Sequence, residues 1–123
     1  MPAYSNTTPP LALFPGDLGF SFNAETFPAD GTAGSQFAVP EPSGFPDQGH
    51  TVRWQTIFGS NPSAINIRLQ GASSDVDAEY TDVDTSTSLT GEARTVTGVR
   101  ARFLRVKKVT STGGTSLTAK ILP

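Results

Sequence analysis

From Thr51 to Gly71 the chain alternates with a period of two. Val52, Trp54, Thr56 and Phe58 fall on one side and Thr51, Arg53, Gln55 and Ile57 on the other. After Gly59-Ser60-Asn61-Pro62 the pattern resumes, with Ile65, Ile67 and Leu69 against Asn66, Arg68 and Gln70. Period two puts successive side chains on opposite faces, so each run predicts a strand with one buried face, and the short break predicts a β-hairpin. Trp54, the only tryptophan, is in phase with Val52 and Phe58, which assigns it to a core.

Further on, Gly71 to Asp77 reads as a turn, Ala78 to Val83 as a brief strand, Asp84 to Ser88 as a polar loop and Gly91 to Val96 as another strand. The run from Val99 to Val109 reads as the longest strand, but its pattern slips. Val99, Ala101 and Phe103 share one face while Leu104 and Val106 share the other, which calls for a bulge near Phe103 or for cover on both faces. Thr110 to Ser116 is a turn, and Leu117, Ala119 and Ile121 alternate along a last strand. Short strands parted by turn residues, with no helical window, predict an all-β fold, an antiparallel β-sandwich or jelly-roll-like domain over residues 51–123.

Residues 1–50 follow another rule. They hold eight of the ten prolines and six of the eight phenylalanines. Proline breaks helices and central strands, whereas chains that stay in water carry few aromatics. The reading is a long, irregular, Pro/Phe-rich N-terminal arm that docks by apolar anchors: Leu11, Leu13, Phe14, Phe20, Phe22, Phe27, Phe37 and Phe45. Whether it docks on a neighbour or on its own sandwich stays open. Gly19 to Asn23 alternates as one short strand, and Ala38 to Pro46 reads as an extended linker.

Charge sharpens the division. All nine Lys and Arg lie beyond residue 50, so the arm is formally −5 and the remainder +3. Arg100, Arg102, Arg105, Lys107 and Lys108 form a basic stripe, read as a subunit contact. Nucleic acid is not expected, since interleaved exposed aromatics are missing. A domain of 73 residues without cysteine holds a core worth only about 3 to 5 kcal/mol, so oligomerisation or the arm must add to it; a homotrimer is expected.

Enzyme chemistry finds no foothold. His50 stands alone, no G-x-S-x-G elbow or phosphate loop occurs, and Asp75, Asp77 and Glu79 start like a calcium loop that Tyr80 and Ser86 then break. An irregular calcium site drawing on Asp82 or Asp84 is the alternative to a solvated acidic turn. No cofactor, metal, catalytic residue or membrane partner is expected. No run is long and apolar enough to span a bilayer, and no secretory signal is read at Met1.

From Trp54 onward the order of elements resembles the small β-sandwich structural proteins of tailed bacteriophages. The resemblance rests on Trp54, Asn61-Pro62, Ile67 to Gly71, Asp84 to Thr87 with Thr90 to Arg94, Val99 to Val106, and Gly113 to Ser116. The arm departs from that pattern, and with it the chain looks most like capsid cement, or decoration, proteins. The resemblance implies a virion protein on the outer capsid surface, with the major capsid protein and itself as partners. A carbohydrate-binding adhesion module on the virion surface or tail is the alternative, and it requires an exposed aromatic shelf.

Overall fold

The computed structural model of the chain describes residues 11–12, 18–27, 29–39 and 50–122, with residues 11, 12 and 50 described by backbone alone. It is an all-β sandwich. The strands are β1 (Leu11–Ala12), β2 (Gly19–Thr26), β3 (Thr32–Ala33), β4 (Phe37–Ala38), β5 (His50–Phe58), β6 (Ala64–Ala72), β7 (Thr81–Ser86), β8 (Ala93–Val99), β9 (Phe103–Thr112) and β10 (Ser116–Leu122). Sheet A runs β1-β4-β9-β6-β7, with β3 also on β9, and sheet B runs β2-β10-β5-β8. Apart from the parallel pair β1 and β4, neighbours are antiparallel.

The period-two runs become strands because their inward halves interdigitate. Val52 and Trp54 of β5 and Leu117, Ala119 and Ile121 of β10 meet Ile65, Ile67 and Leu69 of β6 and Leu104 and Val106 of β9 in one core. Each fully buried large apolar side chain there contributes about 1.5 to 3 kcal/mol.

Two expectations are corrected. β5 and β6 are not a hairpin: β5 pairs with β10 and β8, and β6 with β9 and β7. The link from Gly59 to Ser63 crosses from one sheet to the other, so the two buried faces oppose each other across the core instead of lying side by side. Alternation is identical in both arrangements. The long strand from Val99 to Val109 is likewise two. β8 ends at Val99 in sheet B, residues 100–102 cross over, and β9 begins at Phe103 in sheet A. Changing sheets reverses which parity faces the core, and this is the slip in the pattern. A bulge does occur in β9, at the register shift where Asn66 faces Thr110 but Ile67 faces Lys108.

Of the two dockings left open for the arm, residues 19–39 take the one on their own sandwich, with β2 as an edge of sheet B and β3 and β4 lying in succession along β9. Phe22, Phe37 and Val39 belong to the core. Ser21 fixes the crossing between layers: its hydroxyl donates to the carbonyl of Ser35 (2.9 Å) and accepts from the Val106 amide (2.9 Å). The three residues 113–115 that cross from β9 to β10 include Gly114, at φ +85°, whose missing side chain leaves room for the ring of Phe27. The expected extra stabilisation of a small core thus has a source within the chain itself.

Candidate functional site

Strand β9 carries Arg105, Lys107 and Lys108 of the basic stripe, and acidic residues from other segments meet two of them. Arg105 is 3% exposed. Its Nε donates to Gln70 Oε1 (2.9 Å), its Nη1 to Asp77 Oδ1 (2.7 Å), and its guanidinium lies 4.1 Å over the Tyr80 ring. Tyr80 in turn donates to Asp75 Oδ1 at 2.9 Å. Lys108 is also buried and donates to Asp30 Oδ1 (2.6 Å) and to the Ser111 hydroxyl (2.8 Å). These two basic groups are therefore spent within the chain and are not available as a subunit contact. Arg100 and Arg102 are exposed in the crossover, and Lys107 is half-buried on β9.

The same polar layer extends along sheet A, where Asp82 accepts from Gln70 Nε2 (3.0 Å) and from Arg68 Nη1. The hydrogen bond from Gln70 holds the Asp82 carboxyl below its ordinary range; partial burial opposes this and Arg68 adds to it. Lys108 does the same for Asp30. Asp75, Asp77 and Glu79 surround a short 3-10 turn (Asp77–Glu79) that closes over Arg105. Among the described residues no group of three or more His, Cys, Asp or Glu is placed to hold a metal ion.

A second polar cluster closes the side of the sandwich where β7 and β8, the edges of the two sheets, come together. Asp84 Oδ2 accepts from Trp54 Nε1 (2.9 Å) and Arg94 Nε (2.7 Å), and Oδ1 from Arg94 Nη2 (3.1 Å). Arg94 also reaches Glu92 Oε1 (3.3 Å), and Glu92 Oε2 accepts from Ser86 (2.6 Å). Burial works against the Asp84 charge, but the hydrogen bonds from Arg94 and Trp54 outweigh it and lower its pKa. Beyond this latch an open groove of about 490 Å³ lies between the two edges. Its lining is mixed, with Val83, Val96 and Ala101 beside Thr81, Thr97, Glu79 and Arg100.

The outer face of sheet B is different in kind. Phe20 of β2, Lys120 and Leu122 of β10, Arg53, Gln55 and Ile57 of β5 and Thr95 of β8 point away from the core. Phe20 is 38% exposed and Ile57 39%, and Leu18, just before β2, is exposed as well. Among the described residues these outward positions include two basic groups and no carboxylate. The Lys120 ammonium sits 5.7 Å from the centre of the Phe20 ring.

The anchors expected of the arm are distributed between these environments. Phe22 and Phe37 are buried, and Phe27 is half-buried and stacked on Phe58 with centroids 5.8 Å apart. Phe20 alone of the described phenylalanines of the arm is on the surface. Leu11 is described by backbone only, paired with Phe37, and Leu13, Phe14 and Phe45 lie outside the described residues. Sequence reading missed Asp84 and Arg94 as a pair, assigning Asp84 to a loop. The usable signal was Trp54 itself, since a buried indole N–H requires an acceptor. It also missed Ile57, whose outward position follows directly from the alternation.

No family model matches the chain. No curated protein matches it in sequence. Among solved structures it is similar in fold to the K1 cleaved adhesin domain of Lys-gingipain from Porphyromonas gingivalis W83, with a TM-score of 0.54 and 12% identity over 85% of this chain and 70% of that one. It is also similar to the SPBc2 prophage-derived protein YomS, with a TM-score of 0.51 and 14% identity over 85% of this chain and 90% of that one. The K3 cleaved adhesin domain of the same gingipain gives 0.51 and 12%, over 86% and 73%. At these identities the likeness is one of fold: a β-domain of an architecture found in a prophage-derived protein and in bacterial adhesin domains.

Proposed function

We propose that the chain is a structural protein of a phage particle, a decoration protein that binds the outer surface of the capsid and bridges neighbouring major capsid subunits. The observation that carries this reading is the outer face of sheet B. A sheet face that exposes Phe20 and Ile57 together with Arg53 and Lys120 of the internal strands, and no carboxylate among its described positions, suits a partner surface that sets acidic groups among apolar ones. The order of motifs from Trp54 onward and the fold shared with a prophage-derived protein support the same reading. Self-association, as a trimer, is part of it.

The test is direct. Undecorated capsids are mixed with wild-type protein and with the double variant Arg53→Glu, Ile57→Glu, and occupancy and capsid melting are measured. Both positions are on the surface, so the variant keeps its own melting temperature; it loses capsid occupancy and the rise in capsid melting. Wild-type occupancy by the variant would sink the clamp.

An adhesion module is the second reading, favoured by the shared fold with cleaved adhesin domains. Its aromatic shelf is not Trp54, which is fully buried; among the described residues Phe20, with one face under Lys120, is the exposed ring. Glycan-array binding that is lost in Phe20→Ala would favour adhesion over the clamp.

A further inference from the structure

Charge on sheet B is unevenly distributed. The four strands hold one acid, Glu25, which lies opposite the core residue Leu117 and so belongs to the inner side. Of their three Lys or Arg, Arg94 is taken up by Asp84 and Glu92. Arg53 and Lys120 point outward, and among the described residues neither has a carboxylate within ion-pair distance.

These two bases are neighbours. Lys120 is registered with Gln55 and Leu122 with Arg53, so Arg53 and Lys120 are diagonal partners on one face. Such positions lie about 7 to 8 Å apart, within reach of long side chains. Basic residues serve edge strands by blocking their pairing with another chain, but β10 and β5 are the internal strands of sheet B and have no such need. Two like charges this close repel, and no acid on the face offsets them. Their placement calls for a negative group from outside the chain.

The surroundings say which. On the side of β10 away from Arg53, Phe20 is registered with Lys120, and the ammonium sits 5.7 Å from the ring centre. This draws it away from the guanidinium and leaves the positions of Gln55 and Leu122 between the two cations. A carboxylate that accepts a charge-assisted bond of about 2.7 to 2.9 Å on each oxygen bridges such a gap. Ile57, 39% exposed, is two residues along β5 from Gln55, so apolar neighbours of that carboxylate also find a surface. A sugar acid would want an open aromatic face, and that of Phe20 is shared with Lys120.

We propose that Arg53, Gln55 and Lys120 form a receptor for one Asp or Glu side chain of a partner protein, set among apolar residues that rest on Ile57 and Leu122. One carboxylate oxygen faces the Arg53 guanidinium, the other the Lys120 ammonium, and the Gln55 amide donates between them. The choice of partner rests on the clamp reading, which makes it the major capsid protein. Exposed charges are screened by salt, so docking weakens as ionic strength rises.

Two arms test this. In the first, the full chain labelled with nitrogen-15 is titrated at constant ionic strength with N-acetyl-aspartate methylamide, its asparagine counterpart, glucuronate and inorganic phosphate. The aspartate compound shifts the Arg53 Nε and Gln55 side-chain signals, and the asparagine counterpart binds at least about tenfold more weakly. In the second, capsid affinity is measured against salt for wild type, for Arg53→Gln with Lys120→Gln, and for Ile57→Glu. Wild-type affinity falls as salt rises; the double-glutamine variant keeps its melting temperature, binds about tenfold more weakly and is nearly indifferent to salt. Wild-type capsid affinity in that variant, with binding lost in Ile57→Glu, would overturn the receptor and leave the clamp standing. No capsid binding by the wild type would sink the clamp and its named partner, and the first arm then decides the receptor alone. Equal shifts from the aspartate and asparagine compounds, shifts confined to another surface, or tighter binding of glucuronate or phosphate would overturn the receptor in either case.

Discussion

Replacing Asp84 with alanine removes the acceptor of Trp54 Nε1 and the partner of Arg94 at one stroke. The indole is fully buried, so its N–H has no water to turn to, and an unmet buried donor costs about 1 to 3 kcal/mol. Asp84→Ala is expected to lower unfolding stability by that amount in urea titrations at pH 7. Trp54→Phe, which removes donor and demand together, loses packing but strands no polar group, and Asp84→Ala on that background costs less than on the wild type. The acid side follows from the same residues. Asp84, Asp82 and Asp30 all have folded-state pKa values lowered by their partners. A depressed carboxylate adds stability that is present above its unfolded value, about 3.9, and is lost as pH falls through the folded value. Stability should therefore hold from neutral pH down to about 4 and fall below it, and the fall should be shallower in Asp84→Ala.

Among the elements, β2 is the one whose position changes the meaning of the N-terminal region. It is hydrogen-bonded to β10 along its length, and Phe22 fills the core at 0% exposure. Phe22→Ala is expected to cost about 3 to 5 kcal/mol, as truncation of a buried aromatic does. Deleting residues 1–46 removes β2, β3 and β4 and the core side chains Phe22, Phe37 and Val39, so the remaining chain should lack a cooperative thermal transition in calorimetry; a sharp transition would place the arm outside the fold. The strands of β5, β6 and β10 were legible because each carries three or more apolar residues in phase. What alternation does not encode is the partner: the link at Gly59 to Ser63 crosses between layers, and nothing in the period of β5 or β6 distinguishes that from a turn within one sheet. β2 was legible as a short strand, but Ser21 and Gly19 are buried beside Phe22, and small residues at inward positions leave little apolar signal. At the interaction surfaces the limit was different. Arg105 and Lys108 stood out as a charged stripe, and only the tertiary placement of Asp30 and Asp77 reveals that their charges are met within the chain.

For the whole molecule, the order in which the sheets are laid out has a consequence for how the chain comes into being. β9 and β10, late in the sequence, are internal strands, while β2, early in it, is an edge that depends on β10. The amide of Ala24 waits for the hydroxyl of Thr118, 94 residues further on, which at about 5 to 20 residues per second is about 5 to 20 s of synthesis. During that interval Phe20 and Phe22 belong to a strand without a sheet, and neighbouring chains on one message carry the same strand. Pro15 and Pro28 bracket this segment in sequence, and prolines beside an aromatic strand obstruct its pairing with a copy of itself. The abundance of proline among the phenylalanines then guards a delayed strand against aggregation. Replacing Pro15 and Pro28 with alanine should raise the insoluble fraction on expression while the soluble protein keeps its melting temperature to within a few degrees, and equal solubility of the two forms would argue against this protective role.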